Sequence, residues 1–79
     1  MLTSAHIRAA RALLDITQAE LAERAGISKT GLANIERGAS DPKASTLRAL
    51  EQVLSGAGIE FLDDDGPGVR LRRGMLATS

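Results

Sequence analysis

The chain has 79 residues, enough for one domain and a modest core. It has no cysteine, which excludes a disulfide framework and a thiolate metal site. Ten basic and ten acidic residues leave no overall field, and a single aromatic residue, Phe61, excludes a base-stacking surface for single strands.

Neither a bilayer-length apolar run nor a basic-then-apolar leader pattern is present, so the expected compartment is the cytoplasm, with no membrane partner. The charges are unevenly placed. Residues 1–48 carry Arg8, Arg11, Arg24, Lys29, Arg37, Lys43 and Arg48 against five acids. Residues 49–65 carry acids only: Glu51, Glu60, Asp63, Asp64 and Asp65. Arg70, Arg72 and Arg73 follow. Local field matters more for nucleic acid than the total does.

The first segment, Thr3 to Leu14, is rich in the helix formers Ala, Arg and Leu. Thr3 or Ser4 can cap it, and Ile7, Ala10, Leu13 and Leu14 recur at helical spacing as its apolar face. His6 reads as a helix-surface histidine, since no catalytic partner accompanies it. Asp15-Ile16 breaks the run.

Thr17-Gln18-Ala19-Glu20 is a capping-box pattern that opens a second helix. Leu21, Ala22 and Ala25 supply its inner face. Gly26 follows where a left-handed cap is wanted. Ser28 can cap a third helix, whose apolar side is Leu32 and Ile35 and which Gly38 ends. Ala22 stands four residues before Gly26, small enough for two helices to cross closely. Ala39-Ser40-Asp41-Pro42 is a loop, and Ser45 or Thr46 is expected to start a fourth helix with a stripe of Leu47, Leu50, Val53 and Leu54.

After Gly56 and Gly58 the period changes. Ile59 to Leu62 and Val69 to Arg72 alternate as half-buried strands do, around the turn-rich Asp63-Asp64-Asp65-Gly66-Pro67-Gly68. The three aspartates read as a solvated turn rather than a cation site, because no calcium-loop spacing continues them. Arg70, Arg72 and Arg73 fit a DNA-binding tail or a charged strand edge that blocks aggregation. Nothing in the chain repeats.

The block Ile16 to Gly38, ITQAELAERAGISKTGLANIERG, encodes two short helices around a tight turn. Its T-Q-x-x-L-A, A-G-I-S and I-E-R-G stretches, with a proline after them, resemble the DNA-binding helices of phage repressors, Cro proteins and xenobiotic-response-element-type regulators. The likeness extends over residues 3–55. It implies an all-α, four-helix, lambda-repressor-like DNA-binding domain, here with a short C-terminal β-hairpin or strand pair. It also implies that the third helix enters the major groove of double-stranded DNA.

On that resemblance, Lys29, Thr30 and Asn34 are the base-reading residues. Lys29 suits guanine O6 and N7, Asn34 suits adenine bidentately, and Thr30 suits a thymine methyl or a phosphate. Gly31 and Ala33 only admit close approach. Arg8, Thr17, Gln18, Arg37, Ser40 and Lys43 are the expected backbone contacts, with Gln18 also bracing the third helix. Arg11 and Glu36 match positions that form a structural ion pair.

The expected organisation is a DNA-binding domain at 1–56, a dimerising β element at 57–73 and a flexible tail at 74–79. Ile59, Phe61, Leu62, Val69 and Leu71 would build a homodimer, with strands paired within or between chains. The expected function is a sequence-specific regulator, a repressor bound to a two-fold operator. A second reading is an antitoxin that represses its own operon and binds a toxin protein, which co-purification would distinguish. Polar and basic residues at 29, 30 and 34 argue against an adaptor that has lost DNA binding. No nucleophile–base or metal constellation suggests an enzyme, a cofactor or a metal.

Overall fold

The first three helices begin at hydroxyl residues. In a computed structural model, described over residues 2–62 and 65–72, α1 spans Ser4–Leu14, α2 Gln18–Ala25, α3 Lys29–Glu36 and α4 Ala44–Gly56. Thr3, Thr17 and Ser28 are the N-caps of α1, α2 and α3, each hydroxyl accepting a backbone N–H three residues on. Thr17 and Glu20 close a full capping box, with the Thr17 N–H donating to the Glu20 carboxylate at 2.9 Å. That backbone bond, then the Thr17 hydroxyl, then nearby Arg24 hold the Glu20 carboxyl below its ordinary value near 4.5.

The start of α4 differs from expectation. Its N-cap is Lys43, with no side-chain cap, and Ser45 and Thr46 lie inside the first turn. The Leu47 N–H already bonds the Lys43 carbonyl, so helical pairing begins directly after Pro42. The capping role of a hydroxyl needs extended backbone at that residue, and here helical backbone has already begun.

Gly26 caps α2 in the left-handed region at φ 72°, and a Cβ there would meet no atom within 4 Å. Its strain on substitution is therefore a backbone effect alone. Gly56, in the last turn of α4, is also surrounded by open space but has no positive φ. Gly26→Ala is expected to destabilise by about 1–2 kcal/mol. Gly56→Ala is expected to stabilise by up to about 1 kcal/mol. Urea melts of the two variants should move in opposite directions.

The strands β1, Ile59–Leu62, and β2, Gly68–Leu71, pair antiparallel within the chain. Opposed pairs are Ile59 with Leu71, Glu60 with Arg70, Phe61 with Val69, and Leu62 with Gly68. The second strand starts one residue earlier than the alternation suggests, though the Arg72 N–H still bonds the Gly58 carbonyl at 2.8 Å. The hairpin lies against α1 and the end of α4. Asp63, Asp64, Arg73 and the tail expected at 74–79 lie outside the described residues.

The core joins Ile7 and Ala10 of α1, Leu21 and Ala22 of α2, Leu32 and Ile35 of α3, Leu50 and Leu54 of α4, and Ile59 of β1. Phe61, Val69 and Leu71 pack on its edge. Two assignments on α1 need correction. Leu13, expected on the inner face, is 44% exposed. His6, expected at the surface, is buried. The hairpin causes the second change. Phe61 presents its ring at 88° to His6 with centroids 5.7 Å apart, covering the histidine from β1. His6 Nδ1 meanwhile accepts the Thr3 N–H at 3.0 Å, so the buried ring also caps α1. No helix among the described residues is long and apolar enough to cross a membrane.

Candidate nucleic-acid interface

The inner side of α3 is spoken for by Leu32, Ile35 and Glu36, all buried. What remains outward is polar or small. Lys29 and Thr30 are exposed, and Gly31, Ala33 and Asn34 are half-buried. Thr30, Ala33, Asn34 and Arg37 recur at i, i+3, i+4 and i+7, one stripe facing away from the core. An open groove of about 370 Å³ runs beside it, bounded by Ile27, Gly31, Asn34 and Ile35 on one side and Ser40 to Lys43 with Thr46 on the other.

This stripe is held at a defined angle by a network around Glu36. The Glu36 carboxylate accepts Arg11 Nε at 2.9 Å, Arg11 Nη2 at 3.1 Å and Gln18 Nε2 at 3.2 Å. Arg11 Nη1 also donates to the Ile16 carbonyl at 3.1 Å. One buried carboxylate therefore joins α1, α2 and the loop between them to the end of α3. A bidentate guanidinium–carboxylate pair adds directional constraint as well as attraction.

Two further α1 side chains act at the same place. Ser4 Oγ donates to the Ile35 carbonyl at 2.6 Å, and Arg8 Nη1 donates to the Glu36 carbonyl. These carbonyls lie at the C-terminal end of α3, where helical partners run out. Ser4, Arg8 and Arg11 stand at i, i+4 and i+7, one donor per turn of α1. Sequence reasoning assigned Ser4 only a capping role and Arg8 only a phosphate role. The polar period along α1 was the available signal, and it needed α3 beside it to acquire meaning.

The other anticipated contacts are distributed as follows. The Thr17 hydroxyl is exposed but engaged in its capping box. Gln18 is half-buried and braces Glu36. Ser40 and Lys43 are exposed on the far wall of the groove. Arg37 is exposed and donates through Nη2 to Asn34 Oδ1 at 2.7 Å, a link that sequence reading missed. Gly31 is small for a second reason as well. A Cβ on it would stand 3.0 Å from Ser28 Oγ, the N-cap of its own helix.

Arg70 pairs with Glu60 at 2.8 Å on the outer face of the hairpin, and Arg72 Nη2 donates to the Ser55 carbonyl at 2.9 Å near the end of α4. Both have partners within the chain. Of the residues expected to dimerise, Ile59, Phe61, Val69 and Leu71 face the chain's own core, and Leu62 is 39% exposed.

Over residues 7–58 the chain matches a family model described as helix-turn-helix. The chain belongs to that helix-turn-helix family, in its phage-repressor and Cro-like branch. Among solved structures it is similar to the solution structure of the DNA-binding domain of the P22 C2 repressor, residues 1–76. The two are 34% identical with a TM-score of 0.64, over 70% of this chain and 72% of the other. No curated protein matches it. The helix-turn-helix pair is α2 and α3, joined at Gly26 to Ser28.

Proposed function

We propose that this helix-turn-helix chain is a sequence-specific, double-stranded DNA-binding transcriptional regulator, a repressor that works as a homodimer on a two-fold operator. One observation carries the reading. The third helix presents Lys29, Thr30 and Asn34 outward while its opposite side is anchored by the Arg11–Glu36–Gln18 network. A helix anchored at a set angle can discriminate base edges, because side-chain reach in the groove tolerates little misalignment.

The groove beside the helix supports the same assignment. Lys43, Ser40 and the uncapped first amides of α4 stand across from Asn34, where a phosphate chain would pass. At the start of α2, where the amides are capped, the candidates are side-chain donors instead: the Thr17 hydroxyl, which only accepts in its capping box, and the Gln18 amide, which also braces Glu36. Repression follows from occupancy: a protein bound across a promoter blocks polymerase access.

A single recognition helix reads few base pairs, and two copies on half-sites about one helical turn apart multiply the discrimination. The hairpin supports such pairing. The Arg72–Gly58 bond makes 58/72 a hydrogen-bonded pair, so 60/70 and 62/68 are bonded pairs too. The backbone groups of Ile59, Phe61, Val69 and Leu71 therefore point away from the partner strand, along two edges that no further strand covers among the described residues. Such edges favour pairing with another chain.

Selection of bound fragments from a random duplex library tests the reading. A defined, inverted-repeat sequence is the expected result. Lys29→Ala should then lose roughly 1–3 kcal/mol on the selected site and less on random DNA. Equal loss on both would reassign Lys29 to phosphate. Sedimentation of the full chain alone and on the operator tests the assembly, and one copy per operator would refute the homodimer.

A further inference from the structure

The hairpin has two outer edges, and they are not alike. On the outer face β2 carries Arg70, and Arg72 follows directly, both exposed. Glu60 balances Arg70, and Arg72 remains a net positive charge on that edge. Like charges oppose the pairing of an edge with its own twin. β2 also lies along α1, and between them there is a notch of about 130 Å³, bounded by Ala5, His6 and Ala9 on one side and Pro67 to Val69 on the other. A strand laid beside β2 would have to place alternate side chains into that space.

Along β1 neither obstacle is present. Its one charge, Glu60, is balanced by Arg70 at 2.8 Å. Its other outer residue, Leu62, is 39% exposed, an apolar side chain where edge strands ordinarily carry a charge. β1 meets the helices at the end of α4 and through the contact of Phe61 with His6, and Phe61 stays half-buried.

The outward backbone groups of β1 belong to Ile59 and Phe61, which limits how a second copy can pair there about a two-fold axis. Ile59 opposite Phe61 sets Glu60 against Glu60 at the closest cross-strand distance, which like charges oppose. Ile59 opposite itself runs Leu62 of the second copy into the end of α4 at Gly56. Leu62 opposite itself pairs neither Ile59 nor Phe61 within β1. Phe61 opposite itself avoids all three faults. Glu60 then faces Leu62 of the second copy, the two Leu62 side chains lie on a diagonal, and the two Phe61 rings adjoin on the inner face.

We propose that the outer edge of β1 is the seam of the homodimer, with Phe61 opposite Phe61 and Glu60 opposite Leu62 of a second copy, so that two hairpins form one four-stranded sheet. The inference deepens the homodimer of the proposed function and rests on it. A seam one short strand wide falls below the about 800 Å² per partner of a stable complex. The copies therefore associate weakly when free and hold together when two half-sites place them side by side.

The chain has no cysteine, so a single introduced cysteine reports only contacts between copies. A Glu60→Cys chain and a Leu62→Cys chain, one carrying a mass tag, are mixed on the selected operator and oxidised. Directly opposed residues at such a pair have Cα atoms about 4.5 Å apart, within disulfide reach, whereas diagonal residues at about 7–8 Å are not. The mixture should cross-link between the two chains, neither chain should cross-link alone, and an Arg70→Cys chain should give no cross-link. Leu62→Glu, which sets a carboxylate against Glu60 of the second copy, should weaken binding to the full operator by roughly three- to thirtyfold relative to a single half-site, and Leu62→Lys should not.

Cross-linking of either chain alone or through Arg70→Cys, no cross-link in a mixture that holds two copies per operator, or equal weakening by Leu62→Glu and Leu62→Lys would each overturn this seam and leave the homodimer in place. One copy per operator would remove the homodimer, and a parent that enriches no sequence would remove the proposed function, in both cases with the seam.

Discussion

Arg11→Ala is expected to lower the free energy of unfolding by about 3 kcal/mol, at the lower end of the 3–5 kcal/mol typical of a broken buried pair. Glu36 is 4% exposed, and its two strongest bonds come from Arg11. Truncation leaves that carboxylate with the 3.2 Å contact from Gln18 as its remaining side-chain donor among the described residues. It also removes the donor to the Ile16 carbonyl, which fixes the turn into α2. The Arg11 side chain is 26% exposed, so water can reach part of the vacated space and moderates the loss.

Arg8→Ala serves as the comparison. Arg8 is exposed and bonds a neutral carbonyl, a contact worth about 1 kcal/mol. Urea melts should rank Arg11→Ala well below Arg8→Ala. Equal small shifts would mean that the Glu36 network contributes no more than a surface contact. Replacing both partners, as Arg11→Met with Glu36→Leu, should recover most of the stability, because no charge is then left buried alone. If the network aligns α3, the recovered double variant will still bind its selected DNA more weakly than the parent.

Leu50→Ala should cost about 2–5 kcal/mol, a large part of the stability of a domain this small. Leu50 is 0% exposed at the centre of α4, and helices on several sides leave the cavity little room to collapse. Leu13→Ala should cost no more than about 0.5 kcal/mol, since Leu13 is 44% exposed. The pair separates two readings of α1. Helical spacing alone places Leu13 among the inner residues, whereas the folded chain turns it to solvent. A large loss at Leu13 would restore the first reading, and thermal melts of both variants measure the difference directly.

The features legible in residue order are local. Thr17 with Glu20, Ser28, Gly26 and Gly38 mark helix ends through bonds that span three or four residues, and such bonds follow from sequence order. The alternation at 59–62 likewise indicates a strand whose Ile59 and Phe61 share a face, although which surface that face meets was left to packing, and it meets the chain's own core. The Arg11–Glu36 contact came from family likeness rather than periodicity, because twenty-five residues separate the two.

Features that depend on one element lying against another emerge with packing. His6 is buried because a hairpin more than fifty residues away in sequence places Phe61 over it. Ser4 and Arg8 hold α3 because the angle between α1 and α3 brings its last carbonyls within reach. Leu13 is outside because the helices and strands cover less of α1 than its apolar residues could occupy. The orientation of the Asn34 amide depends on which rotamer Arg37 adopts beyond the helix end. Each of these is a matter of distance and direction between side chains, and residue type and spacing leave both undetermined until the chain has packed.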